Sequence, residues 1–179
     1  MSERQSHGLV YEKSVKDKLG LLDYENNQSY TSKYDAKTKD GKPVSIKTEK
    51  YKTSVELGDY FRNANIDEDF YMIVSFWEKE KTNIVEEYHL LIPAEVWKSF
   101  FKREFDERIK ELIFSASNER SYDSIWKEKI KQLSEDYGKP IIRLRPKRDH
   151  KRQKRMQCAI MYNDFIKLHE LYKTEDLEN

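Results

Sequence analysis

Residues 34–49 read YDAKTKDGKPVSIKTE, and the fold turns on how this stretch doubles back on itself. Val44, Ile46 and Thr48 alternate with Ser45, Lys47 and Glu49, the period of a strand with one buried face. Upstream, Tyr34 to Thr38 is a second short extended run, and Asp40-Gly41 between the two is a hairpin signal. The length of the turn decides which side chains meet. A two-residue Asp40-Gly41 turn pairs Asp35 with Ile46 and sends Lys47 to the other face. A three-residue Lys39-Asp40-Gly41 loop, with Gly41 left-handed, pairs Thr38 with Lys42 and Asp35 with Ser45, which leaves Lys47 diagonal to Asp35 on one face. The alternation favours the three-residue loop, because it gathers Ser45, Lys47 and Glu49 on the polar side and keeps Val44, Ile46 and Thr48 for the core.

Outward from this hairpin the chain alternates strands and helices. Leu9, Val10, Val15, Leu19 and Leu22 recur near a 3.6-residue period, predicting a helix from His7 to about Leu22, and Asn26 to Ser32 is polar and loop-like. Ser54 to Asn63 reads as a short helix with Ser54 as its N-cap and Glu56 in its first turn. Phe70 to Phe76, FYMIVSF, is an almost unbroken apolar run, as in a central strand covered on both faces, and Ile84 to Ile92 is the next strand. Helices follow over Pro93 to Ile113 and Ser121 to Tyr137, then short strands at Ile141–Leu144 and Cys158–Tyr162, and a closing helix from Asp164 to Tyr172. This order predicts one domain over residues 1–179, of the α/β (or α+β) class, built on a mixed sheet flanked by helices.

Composition narrows the function classes. With 179 residues, 13% aromatic and only 5 Gly and 4 Pro, the chain can bury a real core despite a mean hydropathy of −0.98. No run approaches the ~20 apolar residues of a membrane span, and the opening lacks the apolar centre of a secretory signal. The single cysteine, Cys158, cannot form an internal disulfide, so a soluble protein of the reducing cytoplasm is expected. His7, His89, His150 and His169 are scattered, which argues against a zinc site. The net charge of +1 hides an asymmetry. Arg143 to Arg155, RLRPKRDHKRQKR, holds eight basic residues against the one acid Asp149, a local +7 that leaves −6 for the rest of the chain. A cationic block inside a folded chain is the footprint expected of phosphate contact, driven by counterion release.

Carboxylates and a lysine remain as the groups able to do chemistry. Asp35 and Ser45-Ile46-Lys47 share the hairpin, and Glu56 follows at the next element. Two carboxylates, a backbone carbonyl and phosphate oxygens form an all-oxygen set suited to Mg²⁺. A lysine beside it can hold or deprotonate an attacking water and stabilise charge building on phosphorus.

At these residues the sequence resembles the PD-(D/E)xK nuclease superfamily, in the variant where Ser replaces the acid of the (D/E)xK triplet and the missing carboxylate comes from the following helix. The wider run YTSKYDAKTKDGKPVSIKTEK, followed by SVELGDYFRNA, resembles small type II restriction endonucleases, over about residues 12–63. The resemblance implies a restriction-endonuclease-like fold and Mg²⁺-dependent, sequence-specific hydrolysis of double-stranded DNA. It implies that Asp35 and Glu56 bind the metal, that the Ile46 carbonyl completes its shell and that Lys47 is catalytic. Ser45 takes the place of the triplet's acid, and Glu12 matches an acidic residue many members carry in the first helix. In the basic region, about residues 141–162, Arg143, Arg145, Lys147, Arg148, Lys151, Arg152, Gln153, Lys154 and Arg155 would supply base-edge and phosphate contacts. A homodimer with its surface on the helices between Pro93 and Tyr137, and a cognate DNA methyltransferase, complete the expectation. A repair, nicking or junction-resolving nuclease of the same fold and a non-catalytic nucleic-acid-binding module are the rival readings.

Overall fold

In the computed structural model the described residues are 3–24, 32–79, 83–115, 123–148 and 154–177. They form a mixed α/β arrangement of two sheets with flanking helices. The first sheet has the order β1-β2-β3-β5-β6, with β1 at Leu22–Asp23, β2 at Ala36–Lys37, β3 at Pro43–Lys50, β5 at Phe70–Trp77 and β6 at Ile84–Ile92. Only β3 and β5 run parallel, joined by a crossover that carries β4 (Val55–Asp59) and α2 (Tyr60–Ala64). The second sheet, β4-β8-β7, is antiparallel, with β7 at Ile142–Arg148 and β8 at Lys154–Ile160.

The hairpin register follows the three-residue loop. Ala36 pairs with Val44 and Lys37 with Pro43, Thr38 N–H donates to the Lys42 carbonyl at 2.9 Å, and Gly41 has φ +90°. Asp35 stands just ahead of β2, outside the paired residues, and its N–H donates at 3.1 Å to the carbonyl of Val44, the partner of Ala36.

Alternation along β5 divides the core in two. Phe70, Met72, Val74 and Phe76 enter the larger cluster with Trp97, Ile142, Cys158, Ile160 and Phe165, between the first sheet and the second sheet with its helices. Tyr71 and Ile73 face the other way, joining Ala36, Val44, Ile46 and Val15 beneath α1 (Glu3–Leu19). Burying each such side chain stabilises the fold by roughly 1.5–3 kcal/mol, so this doubly covered strand is a main anchor. The α1 stripe differs from expectation. Leu9, Val10 and Leu22 are exposed, and the helix docks through Tyr11, Val15 and Leu19, four residues apart. The docking is polar as well as apolar: Tyr11 Oη reaches Ser75 Oγ and donates to Glu87 at 2.7 Å, while Lys18 reaches Glu87 at 3.0 Å.

Three elements differ from their sequence reading. The expected helix at Ser54–Asn63 is β4 followed by α2. Val55 and Leu57 are buried with Glu56 exposed between them, a period of two that pairing with β8 enforces, and Asp59, not Ser54, caps α2 by accepting from Arg62 N at 2.8 Å. The single helix expected over Pro93–Ile113 is broken into α3 (Ala94–Ser99), a 3-10 turn (Arg103–Phe105) and α4 (Asp106–Ser115). The break sits at Lys102, whose ammonium donates to the Tyr137 carbonyl at 2.8 Å, so α5 (Asp123–Tyr137) overrides the local periodicity. The strands flanking the basic segment are longer than expected, so most basic residues lie in β7 and β8 themselves. The closing helix α6 spans Tyr162–Tyr172, and no helix among the described residues is long and apolar enough to cross a membrane.

Candidate active site

Strand β3 presents Ser45, Lys47 and Glu49 on the face turned toward the second sheet, because Val44 and Ile46 on the opposite face are claimed by the cluster under α1. Asp35, just ahead of the paired residues of the hairpin, aims its carboxylate along this row. Its Oδ2 accepts from Ile46 N at 2.7 Å, from Lys47 Nζ at 3.1 Å and from Ser45 Oγ at 3.4 Å. Lys47 Nζ also donates to the Ile46 carbonyl at 3.2 Å. The carboxylate of Asp35 and the carbonyl of Ile46 thus converge on one cationic centre, in a partly shielded setting where the Lys47 and Asp35 side chains are 20% and 29% exposed.

Two residues beyond Lys47, and so roughly 6–7 Å further along the same face, lies Glu49. It is the acid that sequence reading left out of the site. Its Oε1 accepts from the Glu56 backbone N–H at 2.9 Å, tying β3 to β4 where the two sheets part. Burial pushes its carboxyl up to about 7; the Glu56 amide and the Lys47 ammonium oppose that rise and the Glu56 carboxylate adds to it. The alternation of Ser45, Lys47 and Glu49 already places this acid on the polar face, whereas the triplet pattern points to the residues before the lysine.

The other expected members divide. Glu56 does not open a helix: it stands in β4, 45% exposed, its Oε1 accepting from Ser54 Oγ at 3.1 Å and lying 3.8 Å from Arg145 Nε. Its link to the row is its backbone N–H, which donates to Glu49. Glu12 is on α1, on the opposite face of the first sheet from the Lys47 side chain, and its carboxylate binds Lys16 at 2.6 Å, which also reaches Asp23 at 3.1 Å. Cys158 is buried and its thiol is pushed up by that burial, so it is no nucleophile. His89 is buried against Glu87 at 3.1 Å, and its hydrogen bond holds that carboxylate well below the usual range.

Among the described residues no three His, Cys, Asp or Glu side chains gather closely enough to hold a metal by themselves. Asp35 and the Ile46 carbonyl bring two oxygens to Lys47 Nζ, and Glu49 lies two residues further along β3, joined to the Glu56 backbone N–H. Such oxygens are hard donors that suit Mg²⁺, which keeps several waters and takes one or two carboxylates from the protein.

The basic ribbon is amphipathic. Ile142, Leu144 and Pro146 of β7 and Met156, Cys158 and Ile160 of β8 face the core, while Arg143, Arg145, Lys147, Arg155 and Gln157 alternate onto the other face. Arg148 and Lys154 end the two strands. Lys151, Arg152 and Gln153 lie outside the described residues.

The raised Glu49 carboxyl has a testable effect on stability. A carboxyl whose folded pKa lies above its ordinary 4.5 favours the folded state fully below pH 4.5, and that contribution is lost as pH rises through about 7. Glu49→Gln keeps an acceptor for the Glu56 amide and removes the titration. In metal-free protein the stability of Glu49→Gln relative to wild type should therefore rise between pH 5 and pH 8, by on the order of 1–3 kcal/mol. Thermal unfolding of both proteins across that range measures it, and parallel curves would contradict the burial of this charge.

In comparisons with known proteins, no family model matched the chain and no curated protein matched it significantly.

Proposed function

We propose that this chain is a Mg²⁺-dependent endonuclease acting on double-stranded DNA, of the type II restriction class. The observation that carries the reading is the convergence of the Asp35 carboxylate and the Ile46 carbonyl on the Lys47 ammonium, at 3.1 Å and 3.2 Å. Asp35, the Ile46 carbonyl and a glutamate of the Glu49–Glu56 pair would hold the ion. When bound, Mg²⁺ would supply Lewis-acid polarisation of the scissile phosphate. Lys47 then has two tasks at its Nζ: to hold and orient the attacking water, and to offset negative charge as it builds on the phosphoryl oxygens. Ser45 donates to Asp35 and helps fix that carboxylate. The cationic face of the β7–β8 ribbon, in contact with Glu56 through Arg145, offers the duplex a docking surface next to these groups.

Cutting both strands of a duplex with one small subunit calls for two active sites, so a homodimer is part of the proposal, with α3 to α5 as its surface. A restriction role further entails a cognate DNA methyltransferase and action in the cytoplasm.

Incubation of the purified chain with a sequenced plasmid tests the proposal. With Mg²⁺, discrete fragments with one set of end sequences are expected, and with EDTA none. Cutting only at nicks, junctions or mismatches would assign the site to a structure-directed nuclease instead. Equal DNA binding with no cutting in either condition would reduce the carboxylates to structural ion pairs.

A further inference from the structure

We propose that Arg145 and Gln157 form the base-reading pair of the β7–β8 ribbon, acting from the major groove. The inference rests on the nuclease reading above and assigns the source of its sequence choice. β4 ends beside Gln157, with Asp59 as its partner, so from this row outward β7 and β8 continue alone as a two-stranded antiparallel ribbon. Such a ribbon fits a groove about 12 Å wide, whereas the minor groove, about 6 Å wide, does not admit it. The register places the outward side chains in cross-strand rows: Arg143 with Ala159, Arg145 with Gln157, and Lys147 with Arg155.

These rows are chemically unequal. Arg143 is half-buried and donates to Asp164 of α6 at 3.4 Å, which makes it an anchor of the ribbon rather than a reader. Ala159 is buried and carries no polar group. Lys147 and Arg155 form the row nearest the far end of the ribbon and add charge suited to phosphates. The middle row differs. Gln157 is the polar residue without charge in these rows. Its amide adds no charge for a phosphate, but its paired donor and acceptor match the N6 and N7 edge of adenine, while the Arg145 fork matches O6 and N7 of guanine.

Position supports the same assignment. Arg145 Nε lies 3.8 Å from Glu56 Oε1, so the middle row is one side chain away from the candidate catalytic row. The base pairs read there would lie close to the phosphate cut.

The test selects bound duplexes from a library with a randomised centre, using the full chain without Mg²⁺ so that nothing is cut. Wild type is expected to enrich one short sequence. Gln157→Ala should lose about tenfold to a hundredfold of the discrimination at one base-pair position and keep the rest. Gln157→Glu, nearly the same size and so safe for the fold, should move that position toward cytosine, whose amino group a carboxylate accepts. Lys147→Ala should weaken all sequences alike and lower the slope of log affinity against log salt by about one. The inference is overturned if both Gln157 variants enrich the wild-type sequence with undiminished discrimination. Wild-type binding without base preference overturns it and leaves the nuclease reading standing, whereas absence of salt-dependent duplex binding removes both.

Discussion

Lys47→Ala is expected to abolish Mg²⁺-dependent cleavage, with a loss of at least about a hundredfold to a thousandfold in turnover, while duplex affinity stays within a few-fold of wild type. Lys47 donates to both oxygens expected to face the ion, Asp35 Oδ2 and the Ile46 carbonyl. Removing it takes away the positive charge aimed at the developing phosphoryl oxygens and leaves the hairpin intact, since Asp35 keeps its bonds from Ile46 N and Ser45 Oγ. The site is partly open to solvent, so the freed carboxylate can be hydrated and no fold-wide penalty follows. Plasmid cleavage rates and titration of a labelled duplex separate the two effects. Cleavage within tenfold of wild type would remove Lys47 from the mechanism, whatever the affinity.

Trp97→Ala should destabilise the protein by about 3–5 kcal/mol, lowering the melting midpoint by roughly 10–20 °C for a domain of this size. Trp97 is fully buried, stacks edge-on against Phe70 at 5.1 Å between ring centroids, and donates its indole N–H to the Asn63 carbonyl at 2.9 Å. One side chain thus joins α3 to the central strand β5 and to α2. Its loss opens a large cavity and removes one of the hydrogen bonds to the Asn63 carbonyl, which keeps the one from Ile66 N–H at 3.2 Å, so the cavity is the main cost. Typical domains are stable by about 5–15 kcal/mol, so a large share of the margin would go. Circular dichroism on heating measures this, and a shift of under a few degrees would mean that α3 is not packed as described.

The two predictions test separate links, because Lys47 is on a strand face with little packing role while Trp97 is remote from the carboxylate row. A Trp97→Ala protein that still folds at low temperature should keep the Asp35–Lys47 geometry, since that geometry comes from a hairpin register set locally.

Much of the site was legible for that reason. The spacing from Thr38 to Lys42 and the requirement for a left-handed Gly41 determine the loop, the loop determines the register up to Ala36 and Val44, and the Asp35 carboxylate just beyond it reaches Ser45 Oγ and Ile46 N. Alternation then chooses the face on which Lys47 points. Phe70 to Phe76 was equally clear, since an unbroken apolar run of that length must be covered on both sides.

What local pattern did not carry was any feature decided by a distant partner. The residues from Ser54 to Asn63 suit a short helix by themselves. They become β4 and α2 because β8, roughly a hundred residues later, offers a pairing edge that the Val55 and Leu57 side chains can bury against. The helix from Pro93 is interrupted because Tyr137 takes the Lys102 ammonium. Glu49 becomes a half-buried acid only because β4 folds back and places the Glu56 amide on it. Gln157 comes to face Arg145 through the β7–β8 register, which no short-range signal sets.

The sequence by itself therefore determined the hairpin, its register, the face shared by Asp35 and Lys47, the central strand and the cationic segment. Each depends on turn geometry or on side-chain period within a few residues. Only the tertiary structure decided which carboxylates accompany that pair, which face of the ribbon carries its cations, and which side of α1 is covered. Those outcomes depend on surfaces that come together across long loops, where burial of apolar area outweighs local conformational preference.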